Sequence, residues 1–137
     1  MLLGELITVA AYKLNIKIIV IKNNTLGQIK WEQMVFLGNP EFACDLYPAD
    51  FVTIARGAGI EAIQIEDPVS CGAQLDDVLG RREAVLIEAV VDQFTPPMPA
   101  KITASQALKL GKALVRGEPN RRKIALTNAH DEVRELV

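Results

Sequence analysis

Three short runs of β-branched and apolar residues are the feature that most limits the fold of this chain. The first, IKIIVIK at 16–22, carries only its two lysines as polar residues, and AIQIE at 62–66 and AVLIEAVV at 84–91 follow it. Runs with so few polar positions are typical of strands buried on both faces of a parallel sheet. We therefore expect 16–22 to be a strand that helices cover on both sides.

Helical patterns with recognisable ends separate these runs. Apolar residues recur at helical spacing before residue 15, Pro48 suits the first turn of a later helix, and Gly59 suits its left-handed end. Asp67 and Pro68 predict the cap and first turn of another helix, which Gly80 closes. Its inward-facing residues are expected to be Cys71, Leu75, Val78 and Leu79. The order helix, strand, helix, helix, strand, helix, strand predicts an α/β fold, a doubly wound and mainly parallel sheet flanked by helices.

The character of the chain changes after Asp92. QFTPPMPAKI at 93–102 contains three prolines, which cannot continue a strand, and this composition predicts a surface tether. Thr103 and Gln106 form a capping box that begins a helix ending at Gly117. We expect the basic residues 121–123 to lie in a loop before a short terminal helix. The length of 137 residues indicates one domain, with 1–95 as its core and 96–137 as a tether and helical tail packed on it.

Composition argues against several classes of function. The net charge of -2 leaves no basic field to attract nucleic acid. Cys44 and Cys71 stand apart without metal-site spacing, and reduced thiols suit a cytoplasmic protein. His130 is the single histidine, which disfavours a catalytic triad. The apolar opening lacks a basic start and contains Glu5, which argues against a signal peptide.

The stretch KNNTLGQIKWEQ at 22–33 directly follows the first predicted strand. Ligands of open α/β sheets bind at the carboxyl ends of strands. Asn23 and Asn24, with the flexible Gly27 nearby, offer neutral oxygen atoms that suit a hard cation such as Mg²⁺. The same residues are common in turns, and on spacing alone the plain turn is the favoured interpretation.

Several segments, in order, resemble the thiamine diphosphate-dependent enzymes. MLLGELITVAAYKLNIKIIVIKNNTLG at 1–27 is similar to the second half of their cofactor motif, which runs from Gly-Asp-Gly to an Asn-containing turn. The similarity continues through DFVTIARGAGIEAIQIEDP at 50–68, AVLIEAVVD at 84–92 and PPMPAKITASQALKLGKALVRG at 96–117. The last of these resembles the pyruvate oxidase and quinone-linked pyruvate dehydrogenase group.

The resemblance implies the C-terminal cofactor-binding domain of an enzyme for oxidative decarboxylation of pyruvate or a similar 2-oxo acid. Gln28 departs from the bulkier apolar residue usual in the family, and this keeps acetolactate synthase-like or decarboxylase activity open. A non-catalytic domain that persists as an oligomer is a third hypothesis. A homo-oligomer is expected, and contact of the basic tail with a membrane is disfavoured.

Aligned on Gly27, the resemblance assigns roles to individual residues. The side-chain oxygen of Asn23 and the main-chain carbonyl of Thr25 would bind a Mg²⁺ that bridges the two phosphates of thiamine diphosphate. Asn24, Leu26, Gly27 and Gln28 would complete the cofactor-binding turn. Glu32 would line the substrate pocket, although an exposed helical charge is its plainer interpretation.

The 137 residues contain no Gly-Asp-Gly, whose aspartate supplies another metal ligand in this family. We therefore expect a chain truncated within the motif, which by itself binds thiamine diphosphate and Mg²⁺ weakly or not at all and is inactive. The full-length enzyme would add the pyrimidine-binding domain and a middle domain that holds FAD. In the family the stretch MVFLGNPEFACDLY at 34–47 covers the active site. A mobile lid and a surface loop tucked against its own domain are equally good interpretations of it.

Overall fold

A computed structural model describes residues 3–95 and 103–134, with side chains for all of these except 128–134. The chain forms two compact units. Unit 1 consists of Met1–Lys22 and Pro48–Val91, and unit 2 of Asn23–Tyr47 and Asp92–Val137. The predicted tether falls mostly on 96–102, outside the described residues, and the predicted division at residue 95 stays a prediction.

Unit 1 is an α/β unit, as predicted, and unit 2 is helical in its regular elements. Unit 1 contains α1 (Glu5–Ala11), β1 (Lys17–Lys22), α3 (Phe51–Gly57), β2 (Glu61–Ile65), α4 (Pro68–Gly80) and β3 (Val85–Val90). Unit 2 contains α2 (Gly27–Glu32), a π-helical turn (Gln33–Leu37), α5 (Ala104–Val115) and α6 (Arg121–Arg134). Up to β3 the order of helices and strands is the one that the sequence predicts.

The three strands form one parallel sheet in the order β1-β3-β2. On one face Ala62 and Leu86 pack with buried residues of α1 and α3, namely Leu6, Val9 and Ala55. On the other face Val85 and Ile87 pack with Val78 of α4. Helices therefore lie on both faces of the sheet, which confirms the doubly wound architecture.

The prediction that residues 16–22 form a strand buried on both faces is wrong. β1 lies at the edge of the sheet, and Ile19 and Ile21 are 51% and 64% exposed. α4 packs on β2 and β3, and among the described residues no helix covers this face of β1. The central strand β3 is the buried one, because it has a neighbour on each side.

The residue that caps the N-terminus is the predicted one in α4 but not in α3. Asp67 caps α4, and hydrogen bonds from the Ser70 hydroxyl and the Val69 N–H hold the pKa of its carboxyl below the ordinary 3.8. α3 begins after Asp50, whose carboxylate accepts the Thr53 N–H at 2.8 Å.

Two residues of these helices are corrected. Pro48 lies outside α3, because the cap at Asp50 sets a later start. Leu79 does not face inward but is 58% exposed, whereas Val78 beside it is buried. Gly59 has φ +85°, which confirms the left-handed end after α3.

A buried carboxylate interrupts the apolar face of the sheet. Glu88 of β3 is in the same register row as Gln64 of β2 and accepts a hydrogen bond of 3.0 Å from its Nε2. Lys22 Nζ lies 2.8 Å from the same carboxylate, and the Phe51 N–H donates to its other oxygen at 2.9 Å. Buried charges require such partners, so Glu88 links β1, β2 and the start of α3.

The tail helices belong to unit 2. Thr103 and Gln106 form the predicted capping box, and Gly117, at φ +108°, follows α5. The prediction of a loop at 121–123 is wrong, since these basic residues are the first turn of α6. The Ile124 N–H donates to the Asn120 carbonyl, which starts this helix. The core of the unit contains Trp31, Met34, Val35, Phe94, Ala113 and Ile124.

Replacing one isoleucine on β3 and one on β1 tests the strand order. Ile87→Ala removes a fully buried side chain, and we expect it to lower the free energy of unfolding by about 2–5 kcal/mol. Ile21→Ala, at the exposed edge, should change it by less than about 0.5 kcal/mol. Urea unfolding of both variants measures the difference, and equal losses would contradict an edge position for β1.

Candidate functional site

The predicted turn begins at Asn23, which follows β1 in the sequence. The Asn23 side-chain oxygen Oδ1 accepts the Thr25 N–H at 3.1 Å, a bond that asparagine commonly makes in turns. Asn24 has φ +54°, a left-handed conformation that asparagine tolerates better than most residues. The amino-acid types in this turn are therefore those that its backbone requires.

A second segment of unit 2 holds this turn in place. The Leu26 N–H donates to the Cys44 carbonyl at 2.8 Å, and the Leu46 N–H donates to the Asn24 carbonyl at 2.9 Å. Thr25, which is buried, adds a hydrogen bond of 3.1 Å from its hydroxyl to the same Cys44 carbonyl. The two backbone bonds form an antiparallel bridge between Thr25 and Asp45, and with the hydroxyl bond they make a short ladder that holds the backbone of the turn.

The turn leaves oxygen atoms for a cation. Among the described residues no donor contacts the Thr25 carbonyl. The Oδ1 of Asn23 keeps a second lone pair after accepting its one bond. A Cβ at Gly27 would lie 3.2 Å from the Asn23 Nδ2, so glycine gives this side chain its room. Two neutral oxygens of this kind fit Mg²⁺, which prefers oxygen ligands.

Helix α2 begins at Gly27 and carries the remaining predicted residues. Leu26 is its N-terminal flanking residue, and the Gln28 Nε2 donates to the Glu32 carboxylate at 3.1 Å on the exposed side. The structure thus brings the seven predicted residues into one continuous turn and helix. Trp31 packs in the core of unit 2. The metal and pocket-lining roles of these residues stay predictions.

The segment at 34–47 is bonded to its own unit. Gln33 donates to the Phe42 carbonyl at 3.1 Å and accepts the Phe42 N–H at 2.8 Å. Together with the ladder at Cys44, these bonds match the interpretation of a loop tucked against its own domain. Phe42 and Tyr47 nevertheless present 80% and 92% of their surface to solvent.

One ion pair of unit 2 was not predicted from the sequence. Lys30 of α2 is fully buried, and its Nζ lies 2.6 Å from the Glu41 Oε2. Neither atom has a hydrogen-bond partner among the described residues, so the contact is an ion pair. The available signal was the spacing of Lys30 four residues before Met34, which places both on one helical face.

The described residues carry neither a ready-made metal cluster nor a membrane span. They contain no group of three or more His, Cys, Asp or Glu arranged to hold a metal ion. They also contain no helix with the length and apolar character needed to cross a membrane.

Comparison with known proteins identifies the relatives of this chain. Residues 1–89 match the family described as "Thiamine pyrophosphate enzyme, C-terminal TPP binding domain". The chain is 25% identical over 136 residues to the Bacillus subtilis (strain 168) protein named "Putative thiamine pyrophosphate-containing protein YdaP", covering 99% of this chain and 23% of that protein.

Two acetolactate synthases are also similar. Acetolactate synthase 1, chloroplastic, of Oryza sativa subsp. japonica is 31% identical over 96 residues, which cover 64% of this chain and 15% of the rice protein. Acetolactate synthase isozyme 1 large subunit of Escherichia coli (strain K12) is 30% identical over 90 residues, covering 64% of this chain and 16% of that subunit. The chain thus spans less than a quarter of the length of these relatives.

The family match covers more than half of the chain, and the observed parallel α/β sheet agrees with the fold that the family resemblance implies. The chain therefore belongs to the family of thiamine pyrophosphate enzyme C-terminal TPP-binding domains.

Proposed function

We propose that this chain is the part of a 2-oxo acid enzyme that binds the diphosphate end of thiamine diphosphate through a divalent cation. The family match over residues 1–89 is the observation that carries the proposal. In it, Asn23 and Thr25 bind Mg²⁺ with the side-chain and main-chain oxygens described above. Thiamine diphosphate, when bound, supplies the electron sink for the carbanion, and the protein supplies binding and orientation.

The local geometry of the turn supports this role. The ladder to Cys44 and Leu46 uses the backbone groups on either side of Thr25 but not its carbonyl. Octahedral Mg²⁺ needs six oxygens, so the two from this turn leave positions for the diphosphate and for further ligands. The turn therefore orients a cation and does not enclose it.

For the reaction, we propose oxidative decarboxylation of pyruvate or a similar 2-oxo acid. Support comes from the similarity of 96–117 to the pyruvate oxidase group. The YdaP match, which extends over almost the whole chain, supports thiamine pyrophosphate as the cofactor and does not favour either reaction. Acetolactate formation is the second candidate, favoured by the names of the plant and Escherichia coli relatives. In either case further domains and a homo-oligomeric assembly belong to the proposed enzyme.

Of the two outcomes expected for the chain by itself, weak binding and no binding, the proposal requires weak binding, which paramagnetic broadening can detect. Mn²⁺ accepts the same oxygen ligands as Mg²⁺ and broadens nearby NMR signals. We expect thiamine diphosphate with Mn²⁺ to broaden the amides of residues 23–28 in the labelled chain, and Asn23→Ala to remove the effect. Asn15→Ala, at an exposed asparagine of unit 1, is the matched control. Equal broadening with thiamine monophosphate, or none at 23–28, would contradict the proposal.

A glycine pair tests the packing of the turn. In Gly27→Ala the new Cβ would press on Asn23, so we expect the Asn23 side-chain amide signals to shift and the Mn²⁺ broadening to weaken. Gly72→Ala places a methyl in open space on α4 and should leave both unchanged while adding about 0.4–1 kcal/mol of stability. NMR spectra and urea unfolding measure these effects. Unchanged Asn23 signals in Gly27→Ala would show that the contact is unimportant.

Product analysis distinguishes the two reactions. The polypeptide that contains these residues, purified from its source with an antibody to this chain, is given pyruvate, Mg²⁺ and thiamine diphosphate. Oxidative decarboxylation converts pyruvate and water to acetate and CO₂ and passes two electrons and two protons to an added acceptor. Acetolactate synthesis converts two pyruvates to acetolactate and CO₂ and needs no acceptor. We expect pyruvate consumption to require the acceptor. Acetolactate without acceptor reduction would favour the second candidate, and no turnover would contradict both.

A further inference from the structure

We propose that Glu118, in the turn between α5 and α6, is a positioning residue for the cofactor turn at Asn23–Gly27. Its buried carboxylate binds Glu41, and Glu41 forms the ion pair with Lys30. Through these contacts a residue in the tail of the chain positions a turn that lies almost a hundred residues earlier in the sequence. The proposal rests on the proposed function for what the turn binds. The structural linkage itself is independent of any cofactor.

Glu118 connects the tail to the segment that pairs with the turn. Its Oε2 accepts the Glu41 N–H at 2.9 Å, and its Oε1 accepts the Asn120 N–H at 3.2 Å. The Asn120 Nδ2 in turn donates to the Glu41 Oε1 at 2.8 Å. Both ends of Glu41, its backbone and its side chain, are therefore held by the residues that begin α6.

Glu41 in turn contacts α2 through Lys30. Its Oε2 lies 2.6 Å from the Nζ of the fully buried Lys30, which also lies 5.1 Å from the centre of the Phe94 ring. The Lys30 N–H donates to the Leu26 carbonyl at 2.9 Å, at the first turn of the helix. The ion pair thus fixes the helix that begins in the cofactor turn.

Glu41 also leads into the ladder that holds the turn from the other side. Cys44, three residues later, accepts hydrogen bonds from Thr25 and Leu26. The turn therefore has two supports, α2 and the 44–46 segment: Glu41 contacts α2 through Lys30, and it precedes Cys44 by three residues in a segment that Gln33 also holds at Phe42. A change at Glu118 should reach the turn through both supports at once.

Three variants separate positioning from general stability. In Glu118→Gln one carboxylate oxygen becomes an NH₂ group. That group cannot accept a hydrogen bond, so either the Glu41 N–H or the Asn120 N–H loses its acceptor. Ile124→Val trims a buried residue of the same core without touching the polar network, and serves as the control. Asn120→Ala removes only the side-chain bond to Glu41, and takes the place of Glu118→Gln if that variant does not fold. Amide hydrogen exchange at Leu26, Lys30 and Leu46 is the main measurement, read beside the melting temperature.

We expect hydrogen exchange at these three amides to be about tenfold faster in Glu118→Gln than in Ile124→Val, when the two are compared at the same distance below their melting temperatures. The reason is that Glu118→Gln opens the turn locally. The thiamine diphosphate and Mn²⁺ concentration that half-broadens residues 23–28 should rise about tenfold as well. Equal exchange in the two variants, or faster exchange with unchanged broadening, overturns the positioning role. Absent broadening in the parent chain would defeat the proposed function alone, since exchange still decides the linkage.

Discussion

A buried ammonium group needs a carboxylate beside it, and Lys30 imposes this requirement on unit 2. Its partner Glu41 comes from the segment after the π-helical turn, and Glu41 is held in turn by Glu118 from the tail. Removing one partner of such a pair costs about 3–5 kcal/mol, against a total stability of about 5–15 kcal/mol for a typical domain. Three segments far apart in the sequence must therefore be in place together before α2 and the turn in front of it are stable.

The strands and most helices of unit 1 could be predicted because their signals are local. β-branched runs mark the strands, and the side chain of Asp67 supplies the hydrogen bonds that start α4. The strand order could not be predicted, since 16–22 and 84–91 are similarly apolar and the crossovers decide which of them lies in the centre. Ile19 and Ile21 are exposed because β1 lies at the edge of the sheet and α4 packs on β2 and β3 instead. Pro48 was misplaced because a carboxylate cap two residues later is the stronger start signal.

The candidate site divides in the same way. Asn23, Asn24 and Gly27 could be recognised because the turn uses the side chain of Asn23, the left-handed φ that Asn24 tolerates and the missing side chain of Gly27. The segment that pairs with the turn could not be predicted, because Cys44 contributes a main-chain carbonyl, which every residue possesses. The buried charges were missed for another reason: Lys and Glu are almost never fully buried unless paired, and the partners here are remote in sequence. Glu118 and Glu41 are 77 residues apart.

Helix α2 has a buried face and an exposed face, and the two differ in function. Lys30 and Trp31 face the interior and fix the helix, while Gln28 and Glu32 lie exposed and bonded to each other. A substitution on the exposed side leaves the buried ion pair, and with it the turn, undisturbed. Thiamine diphosphate is common to the two proposed reactions, so binding of the cofactor alone does not distinguish them. The family match accordingly implies the cofactor, whereas the role of Glu32 in lining a substrate pocket stays a prediction.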